Sequence, residues 1–148
     1  MKKQKKTIVL CSSAAFFKQV LVIGKHLEDA GFKVAYPFGA LAMKKSGDFV
    51  VEHYKTWFKN ANHYNKKTFL IKNHFRKVIR GDAVLVLNYK KKGMPGYIGG
   101  NTLAEMVIAF HYKKPIYILN PISEKLNFKE EVIGLGSIFI EGDLKKIK

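Results

Sequence analysis

One carboxylate in this sequence stands where a carboxylate can take part in chemistry. Glu105 follows a turn of glycine and polar residues at positions 99–102, and the pattern predicts a helix capped by Asn101 or Thr102. The apolar run at 82–88 predicts a buried parallel strand ahead of this turn. Ligands of open α/β sheets bind at the carboxyl ends of strands, so we expect Glu105 to face a ligand pocket.

Other residues around this strand, loop and helix start are candidates for contacting the ligand. They are Asn88, Tyr97, Gly99, Gly100, Asn101 and Thr102. Two more candidates, Ser12 and Ser13, follow the first predicted strand and precede a helix. A helix N-terminus offers free N–H groups and partial positive charge to an anion.

Each of these features also has a purely structural interpretation. Glu105 at the third helical position could reach back to the helix cap, as in a capping box. Ser12 and Ser13 could be a cap and a turn. Cys11 could be an apolar filler at the end of a buried strand, because no base is indicated beside it. The aromatic side chains near Trp57 suit a core as well as they suit base stacking.

The elements that position these residues alternate along the chain. Strands are predicted at 7–11, 32–36, 82–88, 115–119 and 137–140. Helices are predicted at 14–30, 49–60, 65–80, from about 101 to 112, and at 124–132, with a loop at 38–48. This alternation predicts one three-layer α/β domain over residues 1–148, with basic tails at about 1–6 and 143–148. The mostly parallel sheet is expected in the flavodoxin or Rossmann-like order 2-1-3-4-5, which would place the loops after strands one and three side by side.

Composition limits the classes of function. The chain has 27 Lys and Arg against 11 Asp and Glu, a net charge of +16, which favours anionic partners. Only two of the basic residues are arginine, and the lysines are spread along the chain, so base-reading nucleic-acid recognition is not favoured. The single cysteine excludes an internal disulfide, and the histidines show no metal-ligand spacing, so we expect neither metal nor cofactor. The absence of a long apolar run and of a signal-peptide core indicates a cytoplasmic protein without a membrane partner.

Three stretches resemble the nucleoside 2-deoxyribosyltransferase-like superfamily. They are GDAVLVLN at 81–88, GGNTLAEMVIA at 99–109 and KPIYILNP at 114–121. That group includes transferases that exchange bases on deoxyribose and hydrolases that cut the N-glycosidic bond of nucleoside monophosphates. The resemblance spans about residues 7–121 and implies a homo-oligomer with a nucleoside or nucleotide ligand.

The resemblance also implies roles for particular residues. Glu105 matches the nucleophile, which would attack the anomeric carbon and form a glycosyl-enzyme intermediate. Ser12 and Ser13 match the region that holds sugar or phosphate. The turn at 100–102 matches the segment that positions the sugar hydroxyls.

The sequence departs from the superfamily pattern at several positions. Gly99 stands where members often have aspartate or serine, and His74 stands where they often have aspartate. The departing base needs a proton donor or a hydrogen-bonding group, and His74, Tyr97 and Asp82 are the auxiliary candidates.

Three functions are therefore predicted, in order of preference. The first is N-glycosidic cleavage or deoxyribosyl transfer at a nucleoside or nucleotide through Glu105. The second is a catalytically silent module that binds or senses nucleotides, which the missing carboxylates favour. The third is non-specific nucleic-acid binding through the lysines, which would weaken steeply with salt.

Overall fold

Five parallel strands form one sheet at the centre of the protein. The computed structural model describes residues 3–148. The strands are β1 (Thr7–Cys11), β2 (Lys33–Ala35), β3 (Ala83–Val86), β4 (Ile116–Ile118) and β5 (Ile138–Phe139). Their order is β2-β1-β3-β4-β5 and each neighbouring pair is parallel. The predicted parallel sheet and strand order are confirmed.

Helices cover both faces of this sheet. They are α1 (Phe17–Asp29), α2 (Phe38–Ser46), α3 (Tyr64–Arg80), α4 (Gly100–His111) and α5 (Lys129–Gly134). Alternate residues of β1 enter two separate cores, because successive strand side chains point to opposite faces. Ile8 and Leu10 pack with α1, while Val9 packs with α3 and α4. The three layers are therefore those expected, and no helix within residues 3–148 is long and apolar enough to cross a membrane.

The segment between β2 and α3 differs from the prediction. The expected loop at 38–48 is mostly helix α2, which follows Pro37 and ends at Gly47 with a positive φ of 75°. Alanine, leucine and methionine favour this helix. Of the two glycines that suggested a loop, Gly39 lies within the helix and Gly47 ends it. The expected helix at 49–60 is instead two single 3-10 turns, Val51–His53 and Thr56–Phe58, and a third such turn, Ala61–His63, follows before α3.

Side chains explain why the second of these segments does not continue as an α-helix. The Asp48 carboxylate accepts hydrogen bonds from the Val50 main-chain N–H and the His53 ring. The Asn60 side chain accepts from the Asn62 N–H and caps the next turn. Such local hydrogen bonds compete with the helical ladder.

Two further helix starts are also corrected. Gly99 is the N-cap of α4, so Asn101 and Thr102 lie inside the helix and do not cap it. Ser123 caps only a turn, by accepting a hydrogen bond from the Lys125 N–H. The last helix, predicted at 124–132, begins at Lys129.

Candidate active site

A cleft of about 240 Å³ opens at the carboxyl ends of β1 and β3. It brings together two loops that the strand order predicts to be neighbours. Most of the candidate residues line it, namely Ser12, Ser13, His74, Tyr97, Gly99, Gly100, Asn101, Thr102 and Glu105. Their shared location is an observation, and their individual roles stay predictions.

Glu105 lies in the cleft wall as the sixth residue of α4. This position is too far along the helix for a capping box, so the capping interpretation is wrong. Only 4% of the residue is exposed. One carboxylate oxygen, Oε1, accepts a hydrogen bond of 2.9 Å from Asn101 Nδ2, one helical turn earlier. The other, Oε2, has no hydrogen-bond partner of good geometry within residues 3–148, although the Cys11 thiol lies close enough to the carboxyl group to affect its pKa.

Two further buried side chains stand beside this carboxylate. His74 Nε2, from α3, lies 3.8 Å from Glu105 Oε2 and 3.5 Å from Cys11 Sγ. Cys11 is fully buried in an apolar core, as the filler interpretation expects, but it also has an imidazole beside it that the sequence did not indicate. Sequence spacing gave no sign of the contact, because 63 residues separate the two. The donor atoms of these three side chains all lie within 4.8 Å of one another, so they could hold a metal ion.

Burial sets the protonation of this group. It raises the pKa of Glu105 from 4.5 to about 8, and the Cys11 thiol and the Lys67 ammonium oppose the increase. It lowers the pKa of His74 from 6.5 to about 4, with the Lys77 charge acting in the same direction. Both groups are therefore mostly neutral at pH 7 in the free protein, and their contact is not an ion pair.

These pKa values predict how stability depends on pH. Between pH 6.5 and 8 the unfolded Glu105 is ionised while the folded one holds its proton, so the free energy of unfolding falls as pH rises. The net loss should be about 1 kcal/mol over this window, because the folded Glu105 is already half ionised at pH 8 and His74 opposes part of the change. Below pH 6.5 His74 becomes protonated in the unfolded chain, while in the folded protein it stays neutral down to about pH 4. This lowers the free energy of unfolding as the pH falls, which is opposite to the effect of Glu105. Urea unfolding at pH 6.5 and 8 measures the difference.

Glu105→Gln should abolish this decline, since glutamine does not titrate. Glu52→Gln is the matched control, because its carboxylate is exposed, and it should keep the wild-type pH dependence. The same decline in all three proteins would show that another group causes it.

Three lysines project into the cleft. Lys91 Nζ donates a hydrogen bond of 2.9 Å to Ser13 Oγ and lies 4.9 Å from the centre of the Tyr97 ring. Lys67 Nζ lies 5.7 Å from the Trp57 ring. Burial, and then the charge of Lys55, lower the pKa of both Lys67 and Lys91.

The Lys55 ammonium therefore repels those of Lys67 and Lys91 around one cavity. Glu105 is the only acidic residue among the described residues that line it, and burial keeps that group mostly protonated. A bound anion would relieve the repulsion. The sequence could not reveal the cluster, because these lysines look like any others in a chain with 27 basic residues.

Aromatic side chains complete the wall opposite α4. Phe17, Phe38, Tyr54 and Trp57 all line the cleft, and most come from the segment whose structure was predicted wrongly. Trp57 is buried and also lines the cleft, so it can be a core residue and contact a ligand at the same time. A flat base would find apolar contact here.

Two candidates do not reach the cleft. Asp82 precedes β3 and therefore lies at the amino edge of the sheet, where its Oδ2 accepts a hydrogen bond of 2.7 Å from the Thr7 N–H. It cannot assist chemistry at the carboxyl edge. Asn88 is fully buried and its side chain joins the ends of β3 and β4: Oδ1 accepts from the Asn120 N–H, and Nδ2 donates to the Asn120 and Gly96 carbonyls.

Replacing Asn88 should therefore affect stability more than binding. Asn88→Ala leaves the Asn120 N–H without its acceptor and should lower the free energy of unfolding by about 2–3 kcal/mol. Asn62→Ala, at an exposed position, should change it by less than about 0.5 kcal/mol. Urea unfolding compares the two. Equal, small effects would contradict the structural role of Asn88.

The α/β architecture and the cleft at the carboxyl edge define a class of fold that holds small ligands. The fold is similar to that of the 2-deoxyribosyltransferase of the psychrotolerant bacterium Bacillus psychrosaccharolyticus, with a TM-score of 0.53 and 20% sequence identity. The similarity covers 82% of this chain and 77% of that chain. That enzyme is a biocatalyst for the synthesis of antiviral and antitumoral nucleosides. The resemblance seen in the sequence is thus confirmed at the level of the fold, while no protein-family model and no curated protein matches the chain.

Proposed function

We propose that this protein cleaves or transfers the N-glycosidic bond of a nucleoside 5′-monophosphate, with Glu105 as the nucleophile. The observation that carries the proposal is a buried carboxylate whose Oε2 has no hydrogen-bond partner within residues 3–148. It lies at the carboxyl edge of a sheet whose fold is shared with a deoxyribosyltransferase.

The proposed reaction has two steps. Glu105 Oε2 forms a bond to the anomeric carbon while the bond from this carbon to the base nitrogen breaks, and the base leaves with the electron pair. Water, or the nitrogen of a second base, then attacks the same carbon and releases the carboxylate, and the proton that the attacking group loses passes through solvent to the first base. The transition state resembles an oxocarbenium ion, which an adjacent carboxylate stabilises.

His74 is not suited to protonating the departing base. Its pKa of about 4 leaves the ring neutral at pH 7, so it has no extra proton to give. Tyr97 is the better candidate of the two. Its hydroxyl lies beside Gly99, the N-cap of α4, and would be 3.4 Å from a Cβ atom if residue 99 carried one. We assign it a hydrogen bond to the base.

The lysines favour a phosphorylated substrate over a free nucleoside. Lys55, Lys67 and Lys91 line the same cleft as Glu105, and Ser13 offers a hydroxyl beside Lys91 Nζ. A phosphate accepts charge-assisted hydrogen bonds from ammonium groups. The apolar wall around Trp57 would then hold the base.

The rate should depend on pH through the nucleophile. Only the ionised carboxylate attacks, so kcat/KM should rise about tenfold per pH unit below a pKa of about 8 and level off above it. Steady-state kinetics from about pH 6 to about pH 9 at constant ionic strength measure the profile. A profile that is flat over this range would mean that Glu105 is not the titrating nucleophile.

Chromatography of reaction mixtures tests the proposed function. The protein is incubated with deoxyribo- and ribonucleosides and their 5′-monophosphates, with and without a second free base. Released or exchanged base, largest for a 5′-monophosphate, is the expected result. Tight binding without turnover across the panel would instead support a catalytically silent nucleotide-binding module. Turnover of nucleosides alone would contradict the assignment of the lysines.

A further inference from the structure

Three buried side chains, two in the cleft wall and one behind it, form a cluster that the proposed reaction uses only in part. Cys11 ends β1, His74 belongs to α3 and Glu105 belongs to α4, so three separate elements bring them together. Their exposed fractions are 0%, 5% and 4%. The reaction engages Glu105 and leaves the thiol and the imidazole without a function. Glu105 Oε2, which faces the imidazole, has no hydrogen-bond partner within the described chain.

The separations of the donor atoms suit a tetrahedral zinc ion. Bonds of about 2.3 Å to sulfur and about 2.0–2.1 Å to nitrogen and oxygen place neighbouring ligand atoms roughly 3.3–3.6 Å apart. Here Cys11 Sγ and His74 Nε2 are 3.5 Å apart, and His74 Nε2 and Glu105 Oε2 are 3.8 Å apart. The Cys11 sulfur and the Glu105 carboxylate lie within 4.8 Å of each other, so these two side chains must move toward each other by up to about 1.2 Å to hold the ion.

The chemistry of the donors selects the kind of metal. A thiolate and an imidazole favour Zn²⁺ over the hard ions Mg²⁺ and Ca²⁺. The thiolate and the carboxylate together cancel the charge of the ion, so the buried site becomes neutral on binding. Lys67 and Lys77 lie close enough to influence Glu105 and His74, and their charge opposes the ion. His74 and Glu105 both line the cleft, which leaves the fourth position for water or a ligand.

We propose that one Zn²⁺ ion binds to Cys11, His74 and Glu105 and inhibits the protein by occupying the nucleophilic oxygen. Binding displaces the thiol proton and the carboxyl proton to solvent, and no electrons are transferred. The inhibition rests on the proposed function, whereas the metal site does not.

Titration with Co²⁺ tests the site directly, because Co²⁺ takes the place of Zn²⁺ and gives a visible spectrum. Cys11 is the only cysteine of the chain, so a thiolate-to-cobalt charge-transfer band can come only from this residue. We expect such a band to saturate at one ion per chain, with the strong d–d bands of tetrahedral cobalt, and to disappear on adding Zn²⁺. A folded wild-type protein without the band would overturn the site.

Two variants make the assignment specific. Cys11→Ser should lose the charge-transfer band, with circular dichroism confirming the fold. His53→Gln is the matched control, because the His53 ring also contacts a carboxylate, that of Asp48, but at the surface. It should keep the band. If Cys11→Ser does not fold, His74→Gln replaces it and should weaken cobalt binding and change the d–d bands.

Base release measured with added metal tests the inhibition. One equivalent of Zn²⁺ should reduce turnover to background, a chelator should restore it, and Mg²⁺ should have no effect. Full turnover with zinc bound would overturn the inhibitory role. If the wild-type protein has no turnover, the proposed function fails, while the cobalt spectrum still decides the metal site.

Discussion

Glu105→Gln should reduce base release by on the order of 10³-fold or more while ligand binding is retained. Glutamine cannot form the glycosyl ester, so the loss should appear in kcat and in kcat/KM. The amide keeps an oxygen that can accept the hydrogen bond that Asn101 Nδ2 donates to Glu105 Oε1. Because Glu105 is mostly protonated at pH 7 in the free protein, a neutral amide of similar shape should not disturb the fold.

The matched control is Glu52→Gln, which removes a carboxylate at an exposed position. It should leave base release within about twofold of the wild-type rate, because surface substitutions rarely disturb a distant site. Calorimetry with the substrate and with the released base separates binding from catalysis. A Glu105→Gln variant that binds and turns over like the wild type would exclude this residue as the nucleophile.

Lys67→Met should weaken the use of a nucleoside 5′-monophosphate by about 10-fold to 100-fold, the range expected for one hydrogen bond to a charged group. Lys67 is partly buried in the cleft beside Trp57, and methionine preserves most of its apolar contact. The loss should appear in KM for the nucleotide. For the free nucleoside, which has no phosphate, KM should change little.

Lys33→Met distinguishes this local effect from the overall charge. Lys33 begins β2 at the amino edge of the sheet and is exposed. Its replacement by methionine lowers the net charge by the same amount as Lys67→Met but does not alter the cleft. It should leave both substrates unaffected at moderate salt. If Lys33→Met and Lys67→Met weaken nucleotide use equally, the lysines act through the general field of the protein and not as a phosphate site.

The central sheet could be predicted from the sequence because its signals are local and consistent. Runs of valine, leucine and isoleucine mark β1, β3 and β4, and the helices between them fix a parallel arrangement. The segment between β2 and α3 could not be predicted in the same way. Its glycine and aromatic residues fit several local structures, and side chains such as Asp48 decide between them through hydrogen bonds.

The candidate site was predictable only where its residues follow the strands. Glu105 and the serines after β1 could be placed because the carboxyl ends of neighbouring parallel strands meet at one edge. Asp82 does not reach the site, because the same rule puts the start of a strand at the opposite edge, where its carboxylate accepts a hydrogen bond from the Thr7 N–H. The contact between Cys11 and His74 and the lysine cluster depend on how α3 and the 3-10 turns pack, which no local pattern encodes.

A covalent adduct on Glu105 is the most direct test of the central claim. The wild-type protein is mixed with its best nucleotide substrate, quenched in acid during turnover, and analysed by intact mass and peptide mapping. We expect the mass of the sugar phosphate to be added to the peptide that contains Glu105, and Glu105→Gln to show no adduct. Base release by the wild type without any adduct, together with base release by Glu105→Gln, would contradict a glutamate nucleophile.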